Sequence, residues 1–439
     1  MKYLLLLGAA ALAAQERGPL QLSLKRAVEI ATSPEGSTQI QLSGEALRQA
    51  GLRSKEARAA LLPDVEGAFS YLNRTANLAA QGITLVHVPF PGISFPVFVG
   101  PFNTMDGRLS ASQTVLNLTS IRQYQASKVG VSAAKSDSES VTEQVAAVVA
   151  RAYLAAVRAV TDVETAQANV MLSQAVLTQA ENQKNAGTGT GIEITRARVQ
   201  LANDQQHLLV AQNERKAAHL RLLRAMGLRL DTDLELTDRL QYVPVDTVTL
   251  EQARAQALKD RPDYKAQQER ESNARLMSSA TTLERLPTLA ALGDYGSSGA
   301  GFSQVLPTRT VGLSLKVPVF DGARRDARRA ESQSQYRAER VRTSDLKEQI
   351  ELDVRLALDE LSSAQDEVTV AKDGLDLAGS ELEQARRRYQ AGVSDSLEVT
   401  DAQTRLERAR DNQTAALYNY SVARIDLAQA MGAVRRAIQ

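Results

Sequence analysis

The 439 residues carry 52 Lys and Arg against 51 Asp and Glu, a net charge of +1, so no overall pull toward nucleic acid or acidic substrates is built in. Cysteine is absent, which excludes disulfides, thiolate metal sites and a lipid-modified N-terminal cysteine. Stability has to come from packing.

Residues 1–14, "MKYLLLLGAAALAA", place Lys2 ahead of an apolar run that ends in the small-residue site Ala11-Leu12-Ala13, the pattern of a cleaved secretory signal. The run is too short for a transmembrane helix, and no later segment offers about 18 to 20 uninterrupted apolar residues. A helical tract follows over about 24–62. After Pro63 the period changes to two: Val65, Gly67, Phe69 and Tyr71 alternate with Asp64, Glu66, Ala68 and Ser70, predicting a strand over 64–76. Ile83–Phe102 carries Pro89, Pro91, Pro96 and Pro101, which argue against a central strand or helix and for a long apolar external loop. A second, weaker alternation predicts a strand over 104–118. A long helix is expected over 119–186 and a shorter one over 193–227, completing a first repeat at 23–227.

Residues 228–249 break the pattern and read as a linker packed outside. The second repeat, 250–432, runs through a helix to about 286, strands over 287–299 and 308–321, a long helix over 322–391 and a closing helix over 396–431. Residues 433–439 read as a tail. Sliding the chain on itself by 205 residues pairs Gly187 with Gly392, Glu193 with Glu398, Ala197 with Ala402 and Met226-Gly227 with Met431-Gly432, so the two repeats are a duplication.

In the second long helix Ile350, Val354, Ala357, Leu361, Ala364, Val368 and onward to Tyr389 step alternately by four and three. The first copy keeps the frame from Val145 to Lys184. A 3.5-residue period keeps one seam facing a neighbouring helix. Each long helix would span roughly 100 Å at about 1.5 Å per residue. The shorter tracts, 24–62 with 193–227 and 250–286 with 396–431, match that length when stacked end to end.

The four strand segments have the length of tilted transmembrane strands. An exported chain without an apolar helix can cross a membrane only as a closed barrel, because every backbone polar group must be paired. Closed barrels begin at about eight strands. Four are too few, so oligomerisation is implied: two copies supply eight strands, three supply twelve, and the strand count does not choose between them.

The turns "NAGTGTGIEITRARVQLA" and "YQAGVSDSLEVTDAQTRLE", the strand-to-helix junction "LKVPVFDGARR" and the two Met-Gly pairs resemble the TolC family of outer-membrane efflux proteins, over nearly all the mature chain. The resemblance implies a mainly α fold with a β-barrel portion: a homotrimer whose twelve-stranded barrel in outer-membrane lipid continues into a twelve-helix periplasmic tunnel. It further implies contacts with a periplasmic adaptor and, through it, with an inner-membrane transporter.

In that family the tunnel narrows near the turn after the second long helix, where Tyr389, Glu398 and Asp401 match an aromatic gate residue and an acidic pair. Glu193 matches an acidic gate position in the first copy. A spacing of three puts Glu398 and Asp401 on one helix face, and a trimer would gather six carboxylates into a ring that favours cations. Ala186, Gly187, Thr188, Ala391, Gly392 and Val393 match the tips that meet the adaptor. Ser394 stands where the family usually has arginine, and Ile192 where a threonine is common, so the links that lock the gate in relatives are expected to be absent or rearranged.

The arginines between Arg324 and Arg342 are interleaved with Asp326, Glu331 and Glu339 and read as a solvated face near anionic headgroups, not a nucleic-acid site. His87, His207 and His219 are isolated, and no nucleophile set or phosphate-cradling loop is visible, so neither cofactor, metal nor enzymatic activity is expected. The expected function is a passive outer-membrane exit duct for efflux or type I secretion. The rival is a secreted periplasmic coiled-coil scaffold with surface hairpins.

Overall fold

The computed structural model describes residues 19–80, 97–244, 248–394 and 396–438. The expected signal, residues 1–14, lies outside them, as does the 83–96 part of the apolar loop. In chain order the elements are β1 (Leu20–Leu22), α1 (Leu24–Thr32), α2 (Thr38–Ala59), β2 (Asp64–Asn77), β3 (Phe98–Leu116), α3 (Leu118–Asn185), α4 (Gly191–Met226) and β4 (Leu234–Leu236). There follow α5 (Leu250–Asp260), α6 (Pro262–Leu283), β5 (Thr288–Gly299), β6 (Leu306–Lys316), α7 (Arg324–Gln390), α8 (Ser396–Ala430) and α9 (Val434–Ile438). They fall into two compact units: one of residues up to Leu47, Ala134–Ala266 and Thr343 onward, the other of Arg48–Ala133 and Gln267–Arg342.

The second unit is built on an antiparallel sheet in the order β2-β3-β5-β6. Its inner strands pair from Met105 opposite Gly299 to Thr114 opposite Ala290, then slip by one residue before Leu116 meets Leu289. Apolar side chains stand outward on the two outer strands: Val65 and Phe69 on β2, and Val311, Leu313 and Leu315 on β6 are all more than half exposed. Arg108 bridges strands by donating to Asp294 at 3.2 Å, while also binding Asp106 beside it.

Two strand boundaries differ from expectation by more than two residues. β3 starts at Phe98 rather than 104, because the pairing with β2 slips between Arg74 and Ala76 and so accommodates Gly100-Pro101 in an irregularity. β6 stops at Lys316 rather than 321, because Pro318 has no N–H to offer a ladder.

In the first unit most seam positions are buried or half-buried in both copies, while Lys184, the last of the first copy, is exposed. Val145 and Ile350, Val149 and Val354, and Leu222 and Leu427 are at most 6% exposed. One cluster joins Leu22 and α1 to α3, the end of α4 and Val434; a second joins α5 to Ile350, Val354 and Ala357 of α7 and to Leu427 of α8. An 18-residue window of α3 has a mean hydropathy of 1.3 and passes as a membrane span by length and composition. Yet 56% of it is buried within the chain, and Arg151 inside α3 donates to Asp426 of α8 at 2.8 Å, so its apolar face belongs to the helical core.

Four tracts depart from the sequence reading. The expected 24–62 helix is split at Ser33-Pro34-Glu35-Gly36, and the 250–286 helix at Arg261, whose extended backbone is what a following proline imposes. Arg261 uses the break: its guanidinium is largely buried and bonds both Asp263 and Asp353 at 2.8 Å. The 228–249 stretch is more than a linker. Its β4 pairs in parallel with β1, and Leu234, Leu236 and Leu240 pack against the core. The 433–439 tail likewise forms α9, with Val434 fully buried and Arg435 bonded to Glu143 at 2.8 Å.

Candidate functional site

The two helix reversals share one backbone solution. At the first, Thr188 N–H donates to the Gln183 carbonyl and Gly187 N–H to that of Lys184, both at 3.0 Å. At the second, Val393 N–H donates to Arg388 at 3.0 Å and Gly392 N–H to Tyr389 at 3.1 Å. This is the Schellman arrangement, which satisfies the last helical carbonyls and requires a left-handed residue. Gly187 (φ +76°) and Gly392 (φ +71°) supply it. A Cβ at either would meet nothing within 4 Å, so the requirement is one of backbone angle and not of space.

Around the second reversal a small core forms from Ala378, Leu382, Ala385 and Tyr389 of α7 with Val399, Ala402 and Leu406 of α8. Tyr389 is only 6% exposed, and its hydroxyl donates to the Gln183 side-chain oxygen at the end of α3. The ring fills the seam while its polar tip ties the two copies together. Glu398, in the first turn of α8, is held by Arg388 with Nε–Oε1 at 3.0 Å. Asp401, one turn later, is exposed and has no hydrogen bond or ion pair among the described residues.

Glu193 is engaged otherwise: its carboxylate accepts from Thr190 N–H at 2.7 Å, closing the first turn of α4. A carboxylate there also complements the positive end of the helix. Ser394, where arginine was expected from the resemblance, leaves its buried hydroxyl oxygen without a partner among the described residues, and Ile192 is exposed. Ala186, Thr188, Ala391 and Val393 are exposed at the tips beside the two glycines.

Thus Tyr389, Glu398 and Asp401 lie around one reversal, with Glu193 on the turn whose preceding helix end supplies Gln183. Sequence reasoning missed Gln183 and Arg388, two side chains that make links among the described residues. A signal existed: at the 205-residue offset they are the same position in the two copies, each next to the last seam residue.

Further along α8, Glu407 approaches Asp204 of α4. Asp204 is buried, accepting from Ser173 of α3 and from Gln200 at 3.0 Å. Burial, then the Asp204 and Asp411 carboxylates, push Glu407 up to about 7, against a smaller opposing pull from Arg410. Among the described residues, no group of three His, Cys, Asp or Glu side chains is placed to hold a metal ion.

Comparison with known proteins agrees with this architecture. The sequence profile described as "Outer membrane efflux protein" matches residues 36–228 and 253–433. The pyoverdine export outer membrane protein OpmQ of Pseudomonas putida is 25% identical over 423 residues, covering 93% of this chain and 85% of that protein. The alkaline protease secretion protein AprF of Pseudomonas aeruginosa is 28% identical over 286 residues, 63% of this chain and 58% of that protein. Among solved structures, the outer membrane protein VceC of Vibrio cholerae superposes with a TM-score of 0.78 at 16% identity, over 93% of this chain and 96% of that one, which shows a shared fold. With both repeats matched by one profile, the chain belongs to the outer membrane efflux protein family, whose members are outer-membrane channels of transport and secretion.

Proposed function

We infer that this protein is the exit duct of a tripartite efflux pump or a type I secretion system, working as a homotrimer that closes a twelve-stranded barrel and a twelve-helix periplasmic tunnel. What carries the reading is the four-stranded sheet. Among the described residues β2 and β6 are each paired on one side only, and both turn apolar side chains outward. Such a sheet is stable in lipid only when its free edges are paired by further strands, and three copies supply twelve. Conduction is passive, with energy supplied by an inner-membrane transporter reached through a periplasmic adaptor that meets the exposed tips at Ala186–Thr188 and Ala391–Val393. Both pyoverdine export and protease secretion occur among the relatives, which is why both cargo classes stand.

At the tip, Tyr389–Gln183 is the gate link, and three copies of Asp401 form the charge ring. Glu398 is largely neutralised by Arg388, and Glu193 is a helix cap first. The test is reconstitution of the purified protein in planar bilayers. A cation-selective conductance whose selectivity falls in Asp401→Asn is expected; an unchanged reversal potential would remove the ring. A water-soluble single subunit would instead return the periplasmic scaffold.

A further inference from the structure

Away from the helix turns, the first unit holds a cavity of about 850 Å³. That volume falls within the range of about 300–1,000 Å³ typical of small-molecule sites. Leu154 and Val157 of α3, Leu361 of α7, Leu427 of α8 and Ile438 of α9 give it hydrocarbon walls. Its charged groups are unevenly matched. The Asp238 carboxylate is committed, accepting from the Tyr153 hydroxyl at 2.9 Å and from Leu24 N–H at 2.7 Å. Arg436 is committed as well, to Asp260. Arg239, exposed just beyond β4 at the rim, and the half-buried Arg424 of α8 line the same cavity and have neither a carboxylate nor a hydrogen-bond partner among the described residues.

We propose that this cavity binds a single-chain amphiphile, its anionic head on Arg239 and Arg424 and its hydrocarbon chain along the α3, α8 and α9 walls. The argument is one of complementarity. Two guanidiniums beside apolar walls repel a cation, and a neutral hydrophobe would cover the half-buried Arg424 without offering it a partner. A carboxylate or phosphate matches the planar donor fork of arginine, and a single alkyl chain matches the remaining surface. The head could be the carboxylate of a fatty acid or the phosphate of a lysophospholipid, which share this chemistry. Nothing in the helix-turn gate is needed for the binding, so the two readings stand or fall separately.

The test uses the full-length protein purified in a non-ionic maltoside, with occupancy read by native mass spectrometry. The probes are palmitate, 1-palmitoyl-lysophosphatidylglycerol and hexadecanol, which shares the chain but lacks the charge. At least one anionic probe should saturate at one per chain and be preferred over hexadecanol by about 10-fold or more, the scale of one charge-assisted contact. Whichever anion saturates identifies the head group. The double substitution Arg239→Gln/Arg424→Gln should abolish the preference while the oligomer keeps its melting temperature. No preference in the parent protein, or one that survives the double substitution, overturns the proposal. Should the double variant fail to assemble, Leu361→Trp decides: it fills the apolar wall and leaves both arginines, so saturable binding must be lost, and its persistence would place the amphiphile elsewhere.

Discussion

Glu407 shows how one side chain can set a pH dependence for a whole seam. It is half buried and faces Asp204 and Asp411, so its ionised form is disfavoured in the folded chain and its pKa rises from an ordinary 4.5 to about 7. The folded state therefore binds this proton more tightly than the unfolded one. Its contribution to stability is fully present below about 4.5 and is lost as the pH rises through about 7. Glu407→Gln should flatten thermal stability between those values and stabilise the protein at pH 8, by an amount on the order of 1 kcal/mol after allowance for solvent screening. At pH 4.5 it should change little; a gain as large as that at pH 8 would place the effect elsewhere. At the second reversal, where the gate is proposed, Tyr389→Phe keeps the buried ring and removes the link to Gln183, so it should cost about 1 kcal/mol and raise single-channel conductance. If conductance rises in Arg388→Ala but not in Tyr389→Phe, the Glu398 link is the lock instead.

At the scale of elements, the duplication supplies its own controls. Ser173 and Asp204 bind each other across α3 and α4, whereas the equivalent positions of the second copy are Ala378 and Ala409. Both helix pairs pack, so the polar pair is dispensable as long as it is removed together. Ser173→Ala alone strips a buried carboxylate of a donor and should cost about 1–3 kcal/mol, while Ser173→Ala/Asp204→Ala should recover most of that in a double-mutant cycle. The reversals are less forgiving. Gly187→Ala and Gly392→Ala must hold a Cβ at positive φ and should each cost about 1–2 kcal/mol in chemical denaturation, although the surrounding space is open. Asn at either position should lose less, because its side chain tolerates that conformation.

For the whole molecule, the decisive property is incompleteness. A sheet whose β2 and β6 edges are unpaired among the described residues, with apolar residues facing out, has no stable place in water or lipid by itself, and closure by further copies would resolve both problems at once. Leu313 of β6 is 73% exposed in the single chain and should face lipid in the assembly. Leu313→Arg should destabilise each copy by about 2–4 kcal/mol if it lies near the bilayer midplane, seen as loss of the detergent-resistant oligomer on semi-native gels.

The sequence alone determined what depends on period and backbone chemistry. The 3.5-residue seam from Ile350 to Tyr389 and the glycines of the two reversals are local properties that the 205-residue repeat states twice, and the alternation at Val65–Tyr71 is a local property as well. Element boundaries followed at Pro63, Gly187 and Gly392, but the reading ran on through Pro34, Pro262 and Pro318, and it also failed where pairing overrode local preference, as at Phe98–Asn103, which β2 draws into the sheet despite Pro101. Only the tertiary structure decided who meets whom. Gln183 reaches Tyr389 across copies, Arg388 claims Glu398 while Asp401 has no partner among the described residues, β4 pairs with β1 from more than 200 residues away, and Arg239 and Arg424 come to share a cavity. Such pairings depend on side-chain reach between distant segments, and a helical or alternating period records which face a residue occupies but not which partner stands opposite.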